Sequence, residues 1–198
     1  MSELGNPDRP VGGLSVRTPP GVELRPLGRD DFEVALELVR ELYELPQTDT
    51  DVELQRRRYE ALIGNPDAVP FLALAEGRAA GLVIFRFRRR LNYATFQGWI
   101  SDLFVRPAFR GRGIGRALMQ AVIEEWRLRQ GHAVTLETGY SNVAARGLYE
   151  SLGFRNSGKY FQQRPLAVRG VVAVPGSEVR SAAGDDFEAV TRLLAELG

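Results

Sequence analysis

Apolar positions change period several times along this chain. Phe32, Leu36, Val39 and Tyr43 recur at the spacing of one helix face, behind an Asp30-x-x-Glu33 capping pattern and ahead of Pro46. Thr50 and Glu53 repeat the capping pattern, and a second helix is expected through Tyr59, Leu62 and Ile63 to Gly64. Strand-like segments then take over. Strands over 71–76, 80–90 and 93–105 are expected, with turns at Gly77-Arg78 and Leu91-Asn92, and Val22-Glu23-Leu24 forms a short strand before the first helix. Helical spacing returns from Gly113 to Gln130-Gly131. Ala133-Val134-Thr135-Leu136-Glu137 follows as a strand, and Asn142 opens a helix for which Gly153 is the natural residue past the C-terminus. Two last strands are expected over 154–159 and 161–168.

These segments define an α/β fold, and 198 residues suffice for one domain with a proper core. Charged residues make up 26% and the formal net charge is +1, without the basic excess of a bulk nucleic-acid binder, so no nucleic-acid partner is expected. Arg86, Arg88 and Arg90 alternate with Phe85 and Phe87, which predicts a solvated basic face over an apolar core face. The chain has no Cys, which removes disulfides, thiolate metal ligands and a thiol nucleophile. His132 alone cannot build a zinc site, and no metal is expected. No apolar stretch is long enough to span a membrane, and Met1 to Pro7 lacks the pattern of a secretory signal, so a cytoplasmic protein without a membrane partner is expected.

The C-terminal residues echo the N-terminal ones. Glu178-Val179-Arg180, Asp185-Asp186-Phe187-Glu188, Leu193 and Glu196-Leu197 match Glu23-Leu24-Arg25, Asp30-Asp31-Phe32-Glu33, Leu38 and Glu41-Leu42 at one constant offset. Either two capped strand–helix units resemble each other by chance, or the extension is the start of a second copy of the domain. The organisation expected is a Gly/Pro-rich tail over 1–20, a domain over 21–168 and an extension over 169–198. An orphan strand–helix exposes an apolar face, which motivates a homodimer held through the extension.

Chemistry concentrates at Arg110-Gly111-Arg112-Gly113-Ile114-Gly115, between the apolar run ending in Leu103-Phe104-Val105 and the helix from Arg116 onward. Strand, glycine loop and helix in that order aim several backbone N–H groups and a helix N-terminus at one point, which suits a phosphate. Arg110 and Arg112 add positive charge. A dinucleotide site is the competing interpretation, with Glu137 as its ribose-binding acid, but its glycines follow the strand almost at once. Here Arg106-Pro107-Ala108-Phe109 intervene, and Arg116 stands where the third glycine belongs. An ordinary glycine-rich turn is the other alternative.

The run Leu103-Phe104-Val105-Arg106-Pro107-Ala108-Phe109-Arg110-Gly111-Arg112-Gly113-Ile114-Gly115-Arg116-Ala117-Leu118 resembles the acetyl-CoA motif of the GNAT superfamily of N-acetyltransferases. Asn142 to Phe154, with its Asn, its helix Tyr149 and its terminal Gly153-Phe154, is similar to the second motif of that family. The resemblance covers Val22 to Val168 and implies a GNAT fold, a central mixed, mostly antiparallel sheet flanked by helices. It implies acetyl-CoA as co-substrate, with backbone groups of Leu103, Phe104 and Val105 along the pantetheine arm and the loop Gly111 to Arg116, with Ile114 and Gly115, on the pyrophosphate. It implies that Asn142 meets the pantetheine or the far side of the cofactor, that Tyr149 protonates the departing thiolate, and that an N–H near Val105 polarises the thioester carbonyl.

A lysine-like amine titrates near 10.4, so neutralising it at pH 7 costs roughly 4–5 kcal/mol and a general base helps. Glu137 matches the general base of some family members, and Asp102 is a second candidate, with strand alternation placing it opposite Ser101 and Leu103. The Ile100-to-Val105 run resembles the polyamine branch, although Ser101 stands where that branch tends to carry Glu. Glu41, Glu44, Asp49 and Asp51 form an acidic rim that would attract a cationic small amine. The acceptor expected is therefore a small molecule such as a polyamine, amino acid or aminoglycoside. A peptide or protein amine and a non-catalytic acetyl-CoA-binding module are the alternatives.

Overall fold

The computed structural model describes residues 16–44, 51–89, 91 and 95–157. The elements are β1 (Val22–Pro26), α1 (Phe32–Tyr43), α2 (Val52–Ile63), β2 (Ala68–Ala75), β3 (Arg78–Arg89), β4 (Phe96–Val105), α3 (Ile114–Leu128), β5 (Ala133–Leu136) and α4 (Val143–Ser151). The sheet runs β1-β2-β3-β4-β5, with the first three pairings antiparallel and β4–β5 parallel. That is the mixed, mostly antiparallel sheet the resemblance implies. Residues 154–157 form no strand, and the expected strand over 161–168, the tail before residue 16 and the repeat over 169–198 lie outside the described residues. The chain divides into two compact units, 1–148 and 149–198.

Helices cover both faces of the sheet. Leu27, Phe32, Ala35, Leu38 and Tyr59 bury one face with Leu72, Leu82, Ile84 and Phe104, which sets α1 and α2 against the even-numbered positions of β2 and β3. Alternation turns Phe71, Val83 and Phe85 to the opposite face, where α3 brings buried Ile114, Leu118, Met119 and Val122. With helices on both faces, β3 reads as a nearly unbroken apolar run. Phe85 and Phe87 are core, as expected. The guanidinium of Arg88 stacks 3.5 Å above the ring of Trp99, and that of Arg89 lies 4.4 Å above Phe96.

Two expected caps sit one residue away from their assigned positions. Asp31, not Asp30, carries the turn before α1: its carboxylate accepts the Gly28 N–H at 2.7 Å and two bonds from Arg25, each at 2.6 Å. Asp51, not Thr50, caps α2 by accepting the Leu54 N–H at 3.0 Å. Acidic residues adjoin both assigned positions, and only tertiary partners decide between neighbours. The first hairpin turns at Glu76-Gly77, both at positive φ, so Arg78 already belongs to β3.

Candidate functional site

The site starts from an irregularity in β4. Opposite β3, Asp102 pairs with Ile84 and Ile100 with Phe85, so Ser101 is an extra residue, a β-bulge whose Oγ donates to the Ile84 carbonyl at 3.4 Å. A bulge bends its strand and raises the local twist. The parallel pairing with β5 covers Gln97 to Ile100 and stops at Ile100–Leu136, beside the bulge. Beyond it, among the described residues, no strand pairs with that side of β4. Among the described residues, the far half of the strand is an open edge.

Antiparallel ladders alternate, and the Arg106 N–H bonds the Ala80 carbonyl at 2.8 Å. Counting back, Phe104 and Asp102 turn their main-chain groups to β3, while Leu103 and Val105 turn theirs to the open side. The Val105 carbonyl is taken there by Arg110 Nε at 3.0 Å. The open edge therefore offers Leu103 and the Val105 N–H. Phe104, expected beside them, faces β3 with its main chain and is 7% exposed in the core.

The glycine loop continues from this edge. Gly111 and Gly113 lie at φ +75° and +79°, a region where a side chain costs free energy. The first helical bond of α3 runs from the Ala117 N–H to the Gly113 carbonyl at 3.0 Å. The amides of Ile114 and Gly115 precede it and open outward from the helix end. That end carries the partial positive charge of the helix dipole and forms a cradle for a phosphate. At Gly115 a Cβ would meet Leu148 Cδ2 at 3.4 Å and Val105 Cγ2 at 3.7 Å, ordinary contact distances. Arg112 pairs with Glu76 at 2.7 Å, so its charge is shared with the β2–β3 turn.

The other expected residues divide. Asn142 is the cap of α4: its Oδ1 accepts the Ala145 N–H at 3.2 Å, while its amide N–H groups remain for another partner. Glu137 follows the last residue of β5 and is exposed. In the second unit, the Phe154 N–H bonds the Tyr149 carbonyl and the Gly153 N–H bonds that of Glu150, each at 3.0 Å, with Gly153 at φ +86°. This is a Schellman ending, and its apolar contact is Phe154 against Tyr149, ring centroids 6.1 Å apart. The terminal Gly-Phe thus fixes the last turn that carries Tyr149, and burial pushes the phenol above its ordinary 10.0.

Of the acidic rim, Glu41 is bound by Arg106, Asp51 caps α2, Glu44 ends α1, and Asp49 lies outside the described residues. Arg106 pairs with Glu37 at 2.9 Å and Glu41 at 2.8 Å and reaches the Ala79 carbonyl at 3.0 Å, tying α1 to the end of β4. The sequence reading missed Tyr43 as a site residue. Its hydroxyl donates to Asp102 Oδ1 at 2.6 Å, and this bond pushes its pKa up to about 12. A cleft of about 430 Å³ between the start of α1 and α2, lined by Leu27, Arg29, Phe32, Arg56 and Tyr59, includes none of the edge or loop residues.

An open strand edge running into a glycine-lined helix N-terminus is a fitting seat for a pantetheine arm ending in a pyrophosphate. The model of the acetyltransferase (GNAT) family matches residues 36–154, and the chain belongs to that family. It is thereby an acetyl-CoA-dependent N-acetyltransferase, with acetyl-CoA as co-substrate. The chain is 28% identical over 138 residues to the aminoalkylphosphonate N-acetyltransferase of Salmonella typhimurium, covering 70% of this chain and 88% of that protein. It is 37% identical over 93 residues to the N-acetylaspartate synthetase of Rattus norvegicus, covering 47% of this chain and only 30% of that longer protein. A putative acetyltransferase from Agrobacterium tumefaciens superposes with a TM-score of 0.65 at 28% identity, over 72% of this chain and 99% of that one. Among the described residues, no helix is long and apolar enough to cross a membrane, and no cluster of His, Cys, Asp or Glu could hold a metal ion.

Proposed function

We propose that this protein transfers acetyl from acetyl-CoA directly to the primary amine of a small molecule. The observation that carries this is the open half of β4 beside the α3 N-terminus. The main-chain groups of Leu103 would pair with the pantetheine arm as an added strand, and the Gly111-to-Arg116 loop would hold the pyrophosphate. The Val105 N–H, facing the open side, suits the developing negative charge on the thioester oxygen. The amine nitrogen forms its bond to the acetyl carbon as the carbon–sulfur bond breaks. Glu137, directly or through water, takes the proton from nitrogen, and Tyr149 gives one to sulfur, so protons and electron pairs balance. The phenol is protonated at neutral pH, as a proton donor must be, and burial pushes its pKa further above the ordinary 10.0.

A small acceptor is supported by the match along 88% of the aminoalkylphosphonate enzyme, and a peptide amine, the alternative, by a 29% match along 77% of N-alpha-acetyltransferase 30 of Schizosaccharomyces pombe. We also infer a cytoplasmic homodimer held through residues 169–198, on the ground of the sequence repeat. Removing that segment would then halve the mass in solution, and an unchanged mass would sink the dimer. The test of the activity is thiol release from acetyl-CoA with 2-aminoethylphosphonate, spermidine, kanamycin, amino acids and short peptides. Turnover with one small-molecule class is expected. Turnover confined to peptides would move the acceptor to protein, and silence across the panel with acetyl-CoA still bound would remove the catalytic reading.

A further inference from the structure

We propose that Arg86 on β3 is the seat of an anionic group on the acceptor, so that the molecule acetylated carries a carboxylate or phosphonate as well as its primary amine. This rests on the acetyl-transfer reading and names the substrate class within it. The register sets a row across the sheet, Ala68 on β2, Arg86 on β3, Trp99 on β4 and Thr135 on β5. Alternation along β3 turns Arg86 and Arg88 to the face of Leu82 and Ile84, which pack with Phe32 and Tyr59 of α1 and α2. On that face burial falls away beyond Ile84: Arg86 and Trp99 are half-buried, and Arg88 and Thr135 are exposed. The row adjoins the place where β4 and β5 part, since Ile100–Leu136 is their last pair. An acceptor arriving over this face meets the thioester end of the pantetheine arm.

Among the described residues, no carboxylate lies within ion-pair distance of Arg86. Asp102, on the same face, bonds the Tyr43 hydroxyl instead. Arg88 lies flat above the Trp99 ring at 3.5 Å, which holds a second guanidinium on this face, two positions from Arg86. Two like charges about 7 Å apart along a strand repel, and an anion between them turns that repulsion into attraction. A guanidinium offers five donors in a fixed fork, the geometry that matches a carboxylate or phosphonate. The phosphates of the cofactor belong to the other end of the sheet. Gly81 pairs with Val105 beside the glycine loop, and Arg86 stands five residues further along β3, about 17 Å away. An anion seated at Arg86 is therefore the acceptor's own. Glu137, two residues past Thr135, stands across the row on the β5 side, two strand spacings or about 10 Å from β3. A short zwitterion between the two side chains fills that span, its anion on Arg86 and its amine toward Glu137.

The test is calorimetric titration of the CoA-loaded full chain with 2-aminoethylphosphonate and β-alanine, which carry an anion, and with propylammonium chloride, which does not. The wild type is compared with Arg86→Gln and Arg86→Met. The wild type should bind at least one of the anionic amines about tenfold or more tightly than propylammonium. Each variant should lose about that factor for the anionic amine and keep its propylammonium and CoA affinities, a selectivity that a merely structural role would not produce. Three outcomes overturn the assignment: the wild type binds neither anionic amine, it binds propylammonium equally well, or the variants bind the anionic amines as the wild type does. If one variant loses CoA binding, its fold is compromised and the other decides; if both do, the wild-type preference decides. Because binding is measured without turnover, a chain that holds anionic amines through Arg86 yet releases no thiol defeats the activity and leaves the seat standing.

Discussion

A phenol that donates a proton must still hold it at the working pH, and Tyr149, which burial pushes above its ordinary 10.0, is protonated at neutral pH as any phenol is. Replacing Tyr149 by Phe should cut turnover about 100-fold or more while acetyl-CoA affinity is kept, the scale of general acid–base catalysis. The proposed role predicts a wild-type contribution that is complete at neutral pH and is lost as pH rises through the raised phenol pKa. A carboxylate governs the opposite end of the pH scale. The hydrogen bonds of Arg25 hold Asp31 below its ordinary 3.8, against desolvation, with help from the Gly28 N–H and the Arg25 charge. A depressed carboxyl pKa stabilises the fold above the unfolded value and stops doing so as pH falls through the folded one. The difference in urea midpoint between wild type and Asp31→Asn should therefore narrow from pH 7 to pH 3; a constant difference would contradict the linkage. Residue types were legible in the sequence where the type itself sets the backbone, as with Gly111 and Gly113 at positive φ and Gly153 past the end of α4. Roles set by partners were not: Asn142 turned out to cap its own helix, Glu41 to serve Arg106, and Tyr43 to reach Asp102 across 59 positions of sequence.

Helices announced themselves in the sequence because their periods are long and their ends carry chemical marks. Gly113 is such a mark, and its φ of +79° together with Pro19 Cγ, 3.2 Å from where a Cβ would stand, makes it intolerant of a side chain. Gly113→Ala should cost about 1–2 kcal/mol in stability, the left-handed penalty, and weaken acetyl-CoA binding by misaiming the Ile114 and Gly115 amides. A denaturant melt and an acetyl-CoA titration check both, and wild-type values in each would refute the role. β4 was legible as a strand but not in its detail. Its alternation looks regular across Ser101, because a bulge is a mismatch between two strands and only the β3 register reveals it. Hence the sequence assigned Leu103, Phe104 and Val105 alike to the cofactor, while the ladder separates Phe104 from its neighbours. The starts of β2 and β4 also differ from expectation, Ala68 for 71 and Phe96 for 93, since pairing rather than composition ends a strand.

At the scale of the molecule, the order of elements sufficed to imply the sheet, because an α/β chain with two helices before a strand meander has few ways to bury both faces. Parallel addition of β5 to β4 follows from α3 crossing between them. The opening between those strands was not written in any single segment, since it arises where a four-residue strand meets a ten-residue one beside a bulge. That bulge has a consequence for the length of the chain. Excising Ser101 would leave Ile84 opposite Asp102 and Phe85 opposite Ile100, so every remaining neighbour keeps its face and the core loses no contact it depends on. What would vanish is the bend. A straightened β4 could zip further along β5, closing the slot that the cofactor needs. Position 101 thus works as a wedge, with the Ser101 hydroxyl donating to the Ile84 carbonyl across the bulge. A one-residue deletion would yield a well-folded protein with its door shut.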